Sequence, residues 1–226
     1  LNRESMTGTN GCLMAQVRSE LIKSGQFDED KISQGGLRIT STIVKEHQEQ
    51  AVAAAEGMNE VRGWDPTHQH VALSSLDPAT GEILAEYAGA DYLARQQNAV
   101  TQDIAMAGSA FKPFALLANA RLDGSVYDTY SGKSPQYFPG MSVPVSNDGG
   151  YSFGNVTLVR ATEYSMNTAY VALNLDVGPQ RTLEAAIDAG IPEDTLGLND
   201  ELLNVLGSAS PHNIDLATAY STIANG

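Results

Sequence analysis

Gly108-Ser109-Ala110-Phe111-Lys112-Pro113-Phe114 contains a proline with no N–H to donate, a loss that only the first turn of a helix tolerates. The helix that follows must therefore begin close to Ser109, and the pattern predicts one helix over residues 109 to 122. A serine at that end sits among backbone N–H groups without internal partners, at the positive end of the helix dipole. Lys112 falls one turn further along on the same face. A buried ammonium there loses proton affinity, so Lys112 could act as a neutral base toward the Ser109 hydroxyl, with Phe111 and Phe114 supplying the desolvation. The bare pattern Ser-x-x-Lys arises about once by chance in a chain of this size. Its place after a glycine, at a helix start, is what singles it out.

Working outward, Tyr164-Ser165-Met166-Asn167-Thr168 lies where one helix ends and the next begins. Thr157 is suited to cap the first of these, through Glu163, and Asn167 to Leu175 opens the second. Ser165 could relay a proton, and Asn167 could bind a substrate amide with both donor and acceptor. Helix capping explains the same two residue types equally well. Gly124 to Gly154 is a polar Gly/Pro/Tyr-rich connection whose length suggests service to a site. Its aromatic residues, Tyr127, Tyr130, Tyr137, Phe138 and Tyr151, read as loop packing or as a cleft wall. Pro179 to Gly190 and residues 213 to 224 are two further helices.

Toward the N-terminus, residues 12 to 24 read as a helix closed by Gly25, Leu37 to Val44 as a strand, and residues 45 to 60 as a helix. Val71 to Leu76 and Ile83 to Ala88 form a hairpin across Asp77-Pro78-Ala79-Thr80-Gly81-Glu82. Gly63-Trp64-Asp65-Pro66 is the best boundary, dividing an inter-domain segment, 1–64, from a second domain, 65–226. A sheet start followed by a helical block gives an α+β fold.

The chain has 226 residues, with 13 Lys+Arg against 27 Asp+Glu and a net charge of −14. That balance argues against nucleic acid and against an anionic membrane surface as partners. The start has no signal-peptide core, and a first residue other than Met suggests a piece of a longer protein. Cys12 is the single cysteine, read as a buried apolar side chain. His68-Gln69-His70 lacks a third ligand nearby, so no metal and no cofactor is expected.

Ser-x-x-Lys followed by Ser-x-Asn belongs to the signature of penicillin-binding proteins and class A β-lactamases. The surroundings agree. Gly35 to Ile43 resembles the linker strand of bifunctional, class A penicillin-binding proteins, and Leu76 to Ala85 resembles the first hairpin of their transpeptidase domain. Met106 to Phe114 is similar to their nucleophile segment, and Gly154 to Ala161 leading into Ser165-Met166-Asn167-Thr168 is similar to their second motif. Leu206-Gly207 through Asp215 to Tyr220 and on to Gly226 resembles the helix before their third.

The resemblance implies a penicillin-binding protein/β-lactamase-like fold, an antiparallel sheet flanked by helices, and a serine D,D-transpeptidase acting on peptidoglycan stem peptides and inhibited by β-lactams. It implies Ser109 as nucleophile, Lys112 as base, Ser165 as proton relay and Asn167 as a substrate contact. The Ser109 amide would form half of an oxyanion hole. It also implies a glycosyltransferase domain before the linker, a membrane anchor, an extracytoplasmic location and association with other cell-wall synthesis proteins. The third motif, Lys-Thr-Gly, is not met before Gly226, so this chain alone is expected to be inactive unless a C-terminal remainder of the domain is supplied. Lys23-Ser24-Gly25 matches the pattern in the wrong place and reads as a helix end. Met166 stands where class A β-lactamases carry Asp, and Glu184, Glu193 and Asp194 read as solvated carboxylates, which favours a transpeptidase over a hydrolase. The alternatives are a D,D-carboxypeptidase or β-lactamase, and a catalytically silent module that senses β-lactams or scaffolds wall synthesis.

Overall fold

The computed structural model describes residues 6–226, which fall into two packing units, one running to Ile104 and joined by His212–Gly226, and the other Ala105–Pro211. The first unit holds helices α1 (Gly8–Lys23), α2 (Glu29–Gln34) and α3 (Lys45–Glu56), the hairpin β1 (Leu73–Leu76) and β2 (Ile83–Tyr87), and α8 (Asn213–Asn225). The expected hairpin is antiparallel, pairing Leu73 with Tyr87 and Ser75 with Ala85, and its turn closes through the Gly81 N–H onto the Asp77 carbonyl at 2.7 Å. The α3 helix packs on β2 and α8 on β1, so the sheet is flanked by helices.

No strand forms over Leu37 to Val44. This stretch runs beside β2, but only Val44 N donates to a β2 carbonyl, that of Leu84, and Thr42 reaches Ile83 O through its hydroxyl. One backbone bond does not make a ladder, and Leu37 and Ile39 stay exposed. The β2 edge is instead served by Gln48. Its amide Nε2 donates to Glu86 O at 2.7 Å and its Oε1 accepts from Glu86 N at 2.8 Å, standing in for a strand backbone. The helix expected from residue 12 begins at Gly8 and ends with Gly25 at φ 72°, so Lys23-Ser24-Gly25 is a helix terminus. Cys12 is buried against Ala88 and Val100, and burial pushes its thiol pKa up. His68 accompanies Asp65 in a surface turn, and no cluster of three or more metal-ligating side chains occurs among the described residues. No helix among them is long and apolar enough to cross a membrane.

Glu86 is 1% exposed, with Oε1 accepting from Asn98 Nδ2 and Oε2 without a hydrogen-bond partner. Desolvation raises its pKa above the ordinary carboxylate value. A raised carboxyl pKa stabilises the fold below the unfolded value and is lost as pH climbs to the folded one. Glu86→Gln is therefore expected to raise the thermal midpoint at pH 7 by about 3 °C and by less at pH 4, read by calorimetry.

The second unit holds α4 (Lys112–Arg121), β3 (Thr129–Ser131), β4 (Asn155–Thr157), α5 (Leu158–Glu163), α6 (Asn167–Val177) and α7 (Pro179–Ala189). The α4 helix packs against both α6 and α7 around Phe111, Phe114, Leu158, Tyr170 and Leu173, all fully buried. As expected, Thr157 caps α5 by accepting from Arg160 N. The long Gly124–Gly154 connection is more ordered than its composition suggests. It opens into β3, which pairs antiparallel with β4, and then forms a bridge between Gln136 and Val145.

Candidate active site

Ser109 does not sit in an α-helix. Residues Gly108–Phe111 form a 3₁₀ turn, with the Lys112 N–H donating to Ser109 O, and the α-helical register begins only at Lys112, with Pro113 in its first turn. The difference matters chemically. Side chains three apart are eclipsed in a 3₁₀ turn and offset in an α-helix, so this turn stacks Ser109 and Lys112 directly. Lys112 Nζ lies 2.9 Å from Ser109 Oγ.

The turn is held in place by Gly207. Gly108 N donates to Gly207 O at 3.1 Å, and Ala107 N to Ala209 O at 2.8 Å. Gly207 has φ 80°, and a Cβ there would stand 2.1 Å from Gly108 O. The Gly207 turn rests in its turn on a buried polar hub. Asn174 Nδ2 donates to Leu202 O and Asn204 Oδ1, while Asn174 Oδ1 accepts from Thr182 Oγ1 at 2.6 Å.

Ser165 links α5 to α6 with φ 49°, a left-handed conformation that is uncommon for serine. That conformation turns both its carbonyl and its hydroxyl toward Lys112, whose Nζ lies 2.8 Å from Ser165 O and 2.9 Å from Ser165 Oγ. Asn167, the first residue of α6, brings Oδ1 to 2.8 Å from the same nitrogen. All four residues singled out from the sequence therefore meet at one amine. Met166 between them is 1% exposed and packs beneath Gly132, where an added Cβ would come within 3.1 Å of its sulfur. The middle position of the motif thus faces the interior and presents no carboxylate.

The donor count at Nζ is informative. Ser165 O and Asn167 Oδ1 are acceptors only, so they take two N–H groups of the amine in any protonation state. The other two neighbours are hydroxyls, which donate or accept. With Lys112 neutral, its lone pair is left to receive the Ser109 proton. Lys112 is 3% exposed, and desolvation lowers its pKa to about 8. Ser109 and Ser165 are both exposed, so a buried amine is reached by two serines at the surface. None of the four partners of Nζ is a carboxylate, and Glu184, Glu193 and Asp194 are exposed. Any step that needs neutral Lys112 should speed up as pH rises through about 8 and level off above it. Stopped-flow acylation by a fluorescent penicillin between pH 6 and 9.5 measures this, and a flat profile would contradict it.

Sequence reasoning missed Ser146 and Asn147. Asn167 Nδ2 donates to Ser146 O at 3.0 Å, which fixes which end of the amide faces Lys112. The only available signal was the length of the connection that carries them.

A Ser/Lys pair on a 3₁₀ turn, met by Ser-x-Asn at a helix junction, gathers two hydroxyls and an amide around one buried amine. The family model of the penicillin-binding protein transpeptidase domain matches residues 72–226, and the chain belongs to that family. The chain is 35% identical over 96% of its length to penicillin-binding protein 1A of Mycolicibacterium smegmatis, and 32% identical over 96% to that of Mycobacterium tuberculosis. It spans 28% and 27% of the lengths of these relatives. Among solved structures it resembles the penicillin-binding protein PonA1 from Mycobacterium tuberculosis, with TM-score 0.82 and 30% identity over 96% of this chain and 57% of that one. The same protein in complex with penicillin V superposes with TM-score 0.83 and 31% identity, covering 96% of this chain and 59% of that one. The fold is that of the penicillin-binding protein transpeptidases, mixed helix and sheet.

Proposed function

We propose that this chain carries the acylating centre of a peptidoglycan D,D-transpeptidase, within a class A penicillin-binding protein that also has a glycosyltransferase domain. Residues 65–226 belong to the transpeptidase domain and 1–64 to the linker before it, a division supported by the family match starting at residue 72. The observation that carries the reading is the convergence of Ser109, Ser165 and Asn167 on the buried Lys112 amine.

In this reading neutral Lys112 takes the Ser109 proton as Oγ attacks the carbonyl between the two terminal D-alanines of a stem peptide. The tetrahedral adduct collapses when the C–N bond breaks. Lys112 returns the proton through the Ser165 hydroxyl to the leaving nitrogen, and D-alanine departs. Asn167 holds Lys112 through Oδ1 and lies at the edge of the cleft, where it contacts the donor peptide backbone. An amine on a neighbouring strand then attacks the Ser109 ester, forms the cross-link and frees the serine. A β-lactam ring opens on the same hydroxyl, but no leaving group departs, so the acyl-enzyme persists. The absence of a carboxylate at Nζ supports slow hydrolysis of that ester. The protein would work on the outer side of the cytoplasmic membrane, anchored through its parent and alongside other wall-synthesis proteins.

The test is turnover by the intact protein of a donor peptide ending in D-Ala-D-Ala, with and without an amine acceptor. Release of D-alanine with formation of the amide product, lost in Ser109→Ala, supports transpeptidation. Hydrolysis alone would move the assignment to a D,D-carboxypeptidase.

A further inference from the structure

The loop between β3 and β4 is organised around one buried amide. Asn147 is 6% exposed and every hydrogen-bonding position of its side chain is used. Nδ2 donates to Gly132 O at 3.1 Å and to Tyr151 O at 3.0 Å. Oδ1 accepts from Thr168 N at 3.1 Å and from Thr168 Oγ1 at 3.2 Å. Its backbone N–H donates to Ser134 Oγ at 2.9 Å. One side chain thus ties both strands of the loop to the first turn of α6, at the residue after Asn167.

The consequence reaches Lys112 in two steps. Ser146 precedes Asn147, and its carbonyl accepts from Asn167 Nδ2. That bond leaves Oδ1 of the same amide pointing at Lys112 Nζ. An amide free to flip would present an NH₂ group to the amine half the time, two donors face to face. We infer that Asn147 is a positioning residue for acyl transfer: it fixes the Ser146 carbonyl, which fixes the Asn167 amide, which orients the Lys112 amine. The inference rests on the transpeptidase reading above.

The test is the second-order rate constant for labelling of the intact protein by a fluorescent penicillin. Asn147→Ala is expected to lower it about tenfold to a hundredfold, as a small misplacement at a reacting centre does. In an Asn167→Ala background the same change is expected to cost less than about twofold, because the link it acts through is gone. A purely structural role would cost the same in both backgrounds, and that result, or an unchanged rate for Asn147→Ala alone, overturns the inference. If Asn147→Ala lacks native circular dichroism, Thr168→Val decides. It keeps the side-chain shape, removes one donor to Asn147 Oδ1, and is expected to slow labelling at least threefold, roughly the cost of one neutral hydrogen bond. An unchanged rate there overturns the inference too. Absence of labelling in the wild-type protein would overturn the transpeptidase reading and this inference with it. Wild-type labelling with an indifferent Asn147 overturns the inference alone.

Discussion

Labelling by a penicillin is expected to fall about a thousandfold when Lys112 is replaced by alanine, within the range that loss of a general base produces. Among the described residues the amine is the one group within hydrogen-bond reach of both hydroxyls and of the Asn167 amide, so in the proposed mechanism its removal takes the proton acceptor from Ser109 and the proton source from Ser165 together. Lys112→Arg is expected to do no better. A guanidinium stays protonated at any working pH and offers no lone pair to the serine. Lys112→Ala removes a buried amine but also leaves Ser165 O and Asn167 Oδ1 without its N–H groups, so folding of the variant is checked directly. Stopped-flow labelling at pH 8, with circular dichroism as the control for folding, measures the effect. A loss below about tenfold in a folded variant would show that another group serves as base.

Gly207→Ala is expected to destabilise the protein by about 3 kcal/mol or more, the range of severe backbone and packing faults. Two causes add. Gly207 has φ 80°, and its new methyl would stand 2.1 Å from Gly108 O and 2.2 Å from Gly108 N, atoms of the turn that carries Ser109. Gly140 is the matched control. It has φ 78° and nothing within 4 Å of where an added methyl would sit, so Gly140→Ala bears the conformational strain without the collision. The difference between the two variants in urea unfolding isolates the Gly207–Gly108 contact. Equal losses would mean that the contact yields by backbone adjustment. Any Gly207→Ala protein that does fold should label slowly, because the Ser109 turn has been pushed aside.

Much of the helical block was legible because its punctuation is local. Pro113, Pro179 and Gly190 each mark a helix end by a backbone property, and Thr157 by a side chain that caps the N–H three residues on. The four side chains that meet at the amine were legible for the same reason, since two short motifs carry Ser109 and Lys112, and Ser165 and Asn167. What stayed hidden is non-local or a matter of helix type. A 3₁₀ turn and the start of an α-helix share the same signals, yet only the former stacks Ser109 on Lys112. Leu37 to Val44 has the β-branched composition of a strand, but Gln48 from α3 takes the hydrogen bonds a strand would have used. The amides of Asn147 and Asn174 look like surface loop and helix residues in the sequence. Their burial depends on partners 15 to 30 positions away, which no periodicity announces.

The measurement that bears most directly on the account is the intact mass of the full-length protein that carries this chain, after incubation with benzylpenicillin, followed by mapping of the modified peptide. A single stable adduct on Ser109, absent from Ser109→Ala, is the predicted result. An adduct on any other side chain, or none on a folded protein, would contradict the assignment of this centre.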